Sequence, residues 1–243
     1  MSRRWGPTRV EFCPGAMTDE KQTKDRSYKE IAEAYDEIVA STASSDEYYE
    51  NTARRFGEVS GKLLDVGCGS GALLRVIHEH YPDLDLYGAD VSRECAKSPK
   101  ALAAVAVSPA EALPFADEAF DFITMSLVIE HCRDDVQALS EVYRCLRPGG
   151  RFFVSTDNRL WLQLMAFRNV FRRKENRYQR MGQVMDGDYT DGEFQGMLTQ
   201  AGFTAIRRQA SGPYPFLRWL FKKTPWLRVH LTKRLWYLCE RPA

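Results

Sequence analysis

An α/β fold with a mostly parallel sheet covered by helices on both faces is what this sequence predicts, from three observations. Short apolar runs of strand length alternate with amphipathic stretches of helix length through residues 60–156, a rhythm that builds βαβ units. A glycine-rich turn, Gly67-Cys68-Gly69-Ser70-Gly71, joins the first run to the helical stretch after it. The chain has 243 residues and is 44% hydrophobic, enough to bury one substantial core.

The elements follow in order. Ile31, Ala34, Tyr35 and Ile38 make an i, i+3, i+4, i+7 stripe, which predicts a helix over 27–39. A second helix is expected over 46–56. Lys62–Val66 reads as the first strand, Ala72–His80 as a helix, and Leu84–Ala89, Ala104–Val107 and Phe120–Ser126 as the next three strands. Val136–Cys145 is helical. Arg147-Pro148-Gly149-Gly150 should end it and hold back the fifth strand to Arg151–Ser155, since proline lacks an amide proton and glycine favours helix ends. Thr190–Ala201 carries Phe194, Met197 and Leu198 on one side and predicts a helix; Phe203–Gln209 and Leu235–Glu240 supply two last strands. Residues 157–189 are long for a connection and are expected to form a helical lid insertion. Residues 1–26 are expected to be flexible or disordered, with Met17 a second candidate initiator. The single domain then covers 27–243, opened by N-terminal helices over 27–60.

Composition excludes several classes. With 28% charged residues and a mean hydropathy of −0.43, the chain fits neither a disordered nor an integral membrane protein. No window approaches the roughly 18 consecutive apolar residues of a membrane-spanning helix. The polar stretch from Met1 to Ser27 lacks a signal-peptide core, so a cytoplasmic location is expected. The six cysteines are scattered without metal-ligand spacing and read as reduced thiols. The formal net charge of +1 hides a split. Residues 1–158 carry 18 basic and 27 acidic side chains, a balance of −9, while residues 159–243 carry 16 and 6, a balance of +10.

The densest chemistry is the run Asp65-Val66-Gly67-Cys68-Gly69-Ser70-Gly71. Glycines there let the backbone turn tightly and approach a ligand, and the first helix amides favour a carboxylate or phosphate. Gly67, Gly69 and Ala72 also satisfy the loose dinucleotide pattern. Asp65, however, would repel a pyrophosphate and suits the ammonium of an amino-acid-bearing cofactor. Asp90, ending the second strand, is placed to accept from ribose hydroxyls. That role is common to both ligands, and Asp90 equally suits a cap on the segment from Ser92.

Asp65–Gly71, Gly88-Ala89-Asp90-Val91-Ser92, Ala110-Glu111-Ala112-Leu113-Pro114-Phe115, Phe120-Asp121, Glu130-His131 and Leu146–Gly150 stand in a familiar order and spacing. In these the chain resembles class I S-adenosylmethionine (SAM)-dependent methyltransferases, closest to the type 11 small-molecule group, over about residues 60–156. The resemblance implies a Rossmann-like, seven-stranded sheet whose last strand, Leu235–Glu240, runs antiparallel. It also implies SAM as cofactor. Gly67, Gly69 and Gly71 would flank its methionine part, Asp65 its amino group and Asp90 its ribose. Ala110 and Glu111 would border the adenine, with Val91 and Leu113 as apolar walls, and Ser126 would lie beside the methionine. One departure is Pro109, where the family usually has an acidic residue facing the adenine amino group.

His131, just past the fourth strand, is the candidate general base, because imidazole titrates near neutrality; capping the neighbouring helix is its other reading. Tyr35 resembles a family tyrosine lining the cofactor or acceptor pocket, and core packing also suits it. Trp161 is a candidate acceptor contact. It begins a stripe of Trp161, Leu164, Met165, Phe167 and Phe171 opposite Arg168, Arg172 and Arg173. With Tyr214–Lys223 and Trp226-Leu227-Arg228, this basic aromatic stretch admits three readings: core and lid with solvated charges, a patch for anionic lipid, or a grip on RNA.

The sequence thus reads as a SAM-dependent methyltransferase acting on a small, fairly apolar acceptor, lipid-like or a secondary metabolite, with peripheral membrane contact through the C-terminal part. Nucleic acid is the lesser partner, and no metal is expected. The alternatives are an RNA methyltransferase, a non-catalytic cofactor-binding module and an NAD-dependent oxidoreductase. The acceptor and the oligomeric state are not legible.

Overall fold

The computed structural model describes residues 45–93, 101–163, 189–209 and 232–243. The expected helix over 27–39 with Tyr35, the lead-in 1–26, most of the expected lid and the basic aromatic stretch Tyr214–Arg228 lie outside the described residues.

The elements are α1 (Ser45–Ala53), β1 (Lys62–Val66), α2 (Ala72–His80), β2 (Asp85–Asp90), β3 (Ala104–Val107), β4 (Phe120–Ser126), α3 (Asp135–Cys145), β5 (Leu146–Asp157), α4 (Asp191–Gln200), β6 (Thr204–Arg208) and β7 (Arg234–Glu240). A 3₁₀ turn, Ile129–His131, follows β4. The described strands form one seven-stranded sheet in the order β3-β2-β1-β4-β5-β7-β6. β1 to β5 pair in parallel, and β7 is antiparallel to both β5 and β6. This is the Rossmann-like α/β fold, and its chain order reverses direction between β1 and β4, where such sheets bind ligands at their carboxyl ends.

Burial divides into two layers. Leu64, Val66, Ile123, Met125, Phe152 and Val154 face one core with Leu139 and Val142 of α3 and Phe194 and Leu198 of α4. Leu63, Phe122, Phe153 and Trp236 face the other with Ala53 of α1 and Leu74 and Ile77 of α2. Strand alternation therefore assigns every odd residue of β1 to the α1–α2 face.

Local chemistry explains the helix starts. The Asp134 carboxylate accepts from the Gln137 amide at 2.8 Å and caps α3. Thr190 and Glu193 form a reciprocal capping box at the head of α4. The fifth strand differs from expectation. It begins at Leu146, directly after α3, and Arg147–Gly150 bulge out of it, with Phe120 paired to Leu146 and Phe122 to Arg151. The bulge is held because the amide of Gly149, at φ +73°, donates to the Arg241 carbonyl at 2.9 Å, and the Arg241 amide donates back to Gly150.

Near the sheet's carboxyl edge the chain is tied at Asn158. Its backbone bridges Tyr189, its amide donates to the Lys233 carbonyl, and its side chain donates to the Thr232 carbonyl at 2.9 Å. Residues 159–163 then begin a helix. No helix among the described residues is long and apolar enough to cross a membrane.

Candidate active site

The site is built on the carboxyl ends of β1, β2, β4 and β5. Past β1 the backbone turns through Gly67 (φ +73°), Gly69 (φ +50°) and Gly71 (φ +83°), left-handed values that cost a side-chain-bearing residue strain. The amides of Gly67 and Cys68 both donate to the Ala89 carbonyl, at 2.7 and 3.1 Å. The turn is thereby pinned over the end of β2. A Cβ at Gly69 would meet nothing within 4 Å, so space for a ligand opens above it.

Two carboxylates stand beside this turn. Asp90 accepts from the Gly69 amide through one oxygen and from the Ser92 amide through the other, each at 2.8 Å. It thereby joins the turn to β2. Asp65 is 2% exposed, and among the described residues no hydrogen bond reaches its side chain. Burial, and then the negative charge of Asp90, hold its carboxyl well above the usual range. Such a group is relieved by a cation and aggravated by an anion. Asp65 therefore fits the ammonium of a cofactor's methionine part and opposes a dinucleotide pyrophosphate.

Ala110 is buried in the core. The Glu111 carboxylate turns towards the entry of α3, where it accepts from the Arg133 amide at 2.7 Å. Val91 is half-buried directly after Asp90. Arg144 organises the segment beyond Glu111, donating to the carbonyls of Leu113 and Phe115 and to Asp117 and Glu141.

Ser126, at the tip of β4, meets two residues that sequence reasoning missed. Its Oγ lies 2.6 Å from the Tyr48 hydroxyl and 3.1 Å from the Ser155 Oγ, and Tyr48 lies 3.0 Å from Ser155. Counting from the strand ends would have aligned Ser155 with Ser126, since both stand in the last turns of neighbouring strands. Nothing local in the sequence marks Tyr48, which reaches the site only because α1 packs on α2.

His131 ends the 3₁₀ turn beside an acidic pair. Burial lowers its pKa below the usual 6.5, and the nearby Asp157 carboxylate partly offsets this. Its imidazole is thus neutral and able to accept a proton at neutral pH. The adjacent Glu130 is 4% exposed, with Oε2 lacking a hydrogen-bond partner. Burial and the charge of Asp157 push its carboxyl up to about 8. Asp157 pairs with Arg234 at 3.6 Å, and the Arg234 guanidinium sits 4.0 Å over the Tyr48 ring. Trp161 is buried, 3% exposed. The structure brings Asp65, Asp90, the three glycines and Ser126 to one edge, turns the Glu111 carboxylate to α3, and does not describe Tyr35.

Residues 64–154 match the family model described as "Methyltransferase domain". A demethylmenaquinone methyltransferase of Symbiobacterium thermophilum is 33% identical over 169 residues, spanning 64% of this chain and 67% of that protein. The chain belongs to the class I SAM-dependent methyltransferases. A malonyl-[acyl-carrier protein] O-methyltransferase of Methylococcus capsulatus is 29% identical over 154 residues, and there the match covers 61% of this chain and only 56% of the relative. Among solved structures, a SAM-dependent methyltransferase of Thermotoga maritima superposes with TM-score 0.65 at 17% identity, covering 89% of this chain and 98% of that one. A Haemonchus contortus phosphoethanolamine N-methyltransferase bound to S-adenosylhomocysteine (SAH) superposes with TM-score 0.63 at 16% identity, covering 93% and 61%. At those identities the superpositions show the fold alone. As a member of this family the methyltransferase is an enzyme that uses SAM.

Proposed function

We propose that this methyltransferase acts on a small, fairly apolar acceptor held over the carboxyl ends of β4 and β5. The observation that carries the cofactor's placement is Asp65, a buried carboxylate that no hydrogen bond reaches among the described residues, beside a glycine turn with open space above it. When bound, SAM would supply a sulfonium-activated methyl group for in-line transfer to the acceptor's nucleophile, with SAH as the leaving group. Asp65 neutralises the incoming ammonium. Asp90 accepts from the ribose hydroxyls while keeping the turn closed. Gly67, Gly69 and Gly71 admit the methionine part, which Ser126 flanks. Val91, Ala110 and the backbone at Glu111 border the adenine.

The residues beyond the turn supply positioning and proton removal. Holding a nucleophile about 3–3.5 Å from the methyl group accounts for much of the rate in such a transfer. His131, neutral at neutral pH, takes the acceptor's proton. Trp161 and Tyr35 belong to the acceptor side. The small-molecule reading is supported by relatives whose names give demethylmenaquinone and malonyl-[acyl-carrier protein] as what they methylate. The basic C-terminal third, with its balance of +10 over residues 159–243, suits an acceptor drawn from an anionic lipid surface.

Calorimetry with SAH and with NADH tests the cofactor placement, and radiolabelled methyl transfer from SAM to demethylmenaquinol and to a malonyl thioester tests the acceptor. Micromolar SAH binding that Asp90→Ala abolishes is expected. Tight NADH binding without SAH binding would sink the proposal. Salt-sensitive binding of transfer RNA with methylation would replace the small acceptor with RNA.

A further inference from the structure

The three hydroxyls of Tyr48, Ser126 and Ser155 form a closed ring. Each oxygen lies within 3.1 Å of the other two. A hydroxyl has one proton to donate and two lone pairs to accept with. Three hydroxyls therefore have three protons for three contacts, and the ring uses all of them whichever way it runs. What remains is one spare lone pair on each oxygen and no donor. The cyclic arrangement polarises every member, which strengthens those lone pairs as acceptors.

The ring is rigidly placed. Ser126 and Ser155 are paired residues on β4 and β5. The Tyr48 ring packs edge-on to Trp236 at 5.9 Å and carries the Arg234 guanidinium at 4.0 Å on its face. Tyr48 and Ser126 are half-buried, while Ser155 is fully buried. A second polar group lies on the same face of the sheet. Thr124, two residues before Ser126 and paired with Asp65, is fully buried with its hydroxyl oxygen unpartnered. From Asp65 through Thr124 to the ring, this face changes abruptly from the apolar layer of Leu63, Phe122 and Phe153. Of this polar strip, the unpartnered Thr124 hydroxyl is the member that costs stability, since a buried polar group is costly when it lacks a hydrogen bond.

We infer that the Tyr48–Ser126–Ser155 ring is an acceptor-binding subsite that selects a hydrogen-bond-donating hydroxyl on an apolar ring, a reduced hydroquinone in preference to its quinone. The inference rests on the small apolar acceptor proposed above. A quinone carbonyl or an ether oxygen brings a lone pair to three hydroxyls that offer only lone pairs. A hydroquinone hydroxyl brings the missing proton. The subsite thereby admits the oxidation state whose ring is electron-rich enough to attack a sulfonium methyl group. The balance is simple: the nucleophile forms its bond to carbon, the carbon–sulfur bond breaks, and the acceptor's proton leaves to His131.

Binding of naphthohydroquinone, its dimethyl ether and naphthoquinone to the SAH-saturated enzyme, under argon, tests this. The wild type should hold the hydroquinone about fivefold more tightly than either of the others, the worth of one neutral hydrogen bond. Tyr48→Phe keeps the aromatic packing and removes one oxygen. Two hydroxyls sharing one contact then have a proton to spare, so the preference should invert towards naphthoquinone. Ser155→Ala, which leaves Tyr48 and Ser126 as a pair, should do the same. A merely structural role would weaken all three probes together. Equal binding by the wild type, or an unchanged preference in both variants, would overturn the role of the ring. Failure of every probe to bind while SAH binds would overturn the small apolar acceptor and the ring with it.

Discussion

The side chain of Val128 occupies the space that a Cβ on Gly67 would need. The loop after β4 thus closes directly on the turn after β1, and the two strands are locked at their tips as well as along their ladder.

That contact sets apart two glycines of one turn. Gly67→Ala places a Cβ into Val128 at a φ of +73° and should cost about 3 kcal/mol, combining left-handed strain with overpacking. Adding Val128→Ala should restore the packing part and leave the strain. Gly69→Ala meets nothing and should lose SAH affinity with a smaller loss of stability. Denaturant titration and calorimetry of the two single variants and the double variant check this.

Asp65→Asn should separate stability from binding. The Asp65 carboxyl has a pKa raised in the folded protein, so it lends stability only at low pH and destabilises once ionised. The amide removes that cost, and the cofactor-free variant should melt at higher temperature than the wild type at neutral pH. Its SAH affinity should fall about a hundredfold, because the ammonium loses its counter-charge. A variant that melts lower would contradict the unpaired state of Asp65.

Glu130 gives a pH signature. Its folded pKa of about 8 stands above the ordinary 4.5, so its contribution to stability is complete below about 4.5 and is lost as pH rises through about 8. Urea unfolding should show the wild type weakening over that window by a few kcal/mol. Glu130→Gln should flatten the slope and be the more stable form at alkaline pH.

His131 should show itself in the rate. With its pKa lowered by burial, the acid limb of kcat/KM should fall below pH 6.5. Asp157→Asn should move the limb lower still, since the Asp157 charge raises that pKa. His131→Ala should abolish the limb and lower turnover about a hundredfold with SAH affinity unchanged. Unchanged turnover would remove His131 from the mechanism.

Period and punctuation made most of the sheet legible. β1, β3, β4 and α2 stand within the residues that their apolar patterns mark, and the antiparallel final strand follows from the family resemblance. The start of β5 was misjudged because Pro148 and Gly149 do interrupt the ladder, yet Leu146 pairs with Phe120 before the interruption and Arg241 bridges across it. Asp65, Asp90 and the glycines were legible because a strand–turn–helix fixes their neighbours in sequence. The Tyr48 ring was not, for it joins positions 78 and 107 residues apart. Glu111 shows the opposite limit: its neighbour Ala110 fixes where the loop runs, but the carboxylate's direction is decided by amides of Arg133 and Asp134.

The tie at Asn158 has a bearing on how such an enzyme diversifies. Tyr189, which follows residues 164–188, bridges to it, and the positions that flank 210–231 are joined by the bond from Arg208 to Thr232, to whose carbonyl the Asn158 side chain donates. Both stretches are therefore closed at their stems by the scaffold itself. Lengthening a closed loop costs only about 0.6 kcal/mol per doubling. A change of chain length between either pair of posts should therefore leave the sheet intact.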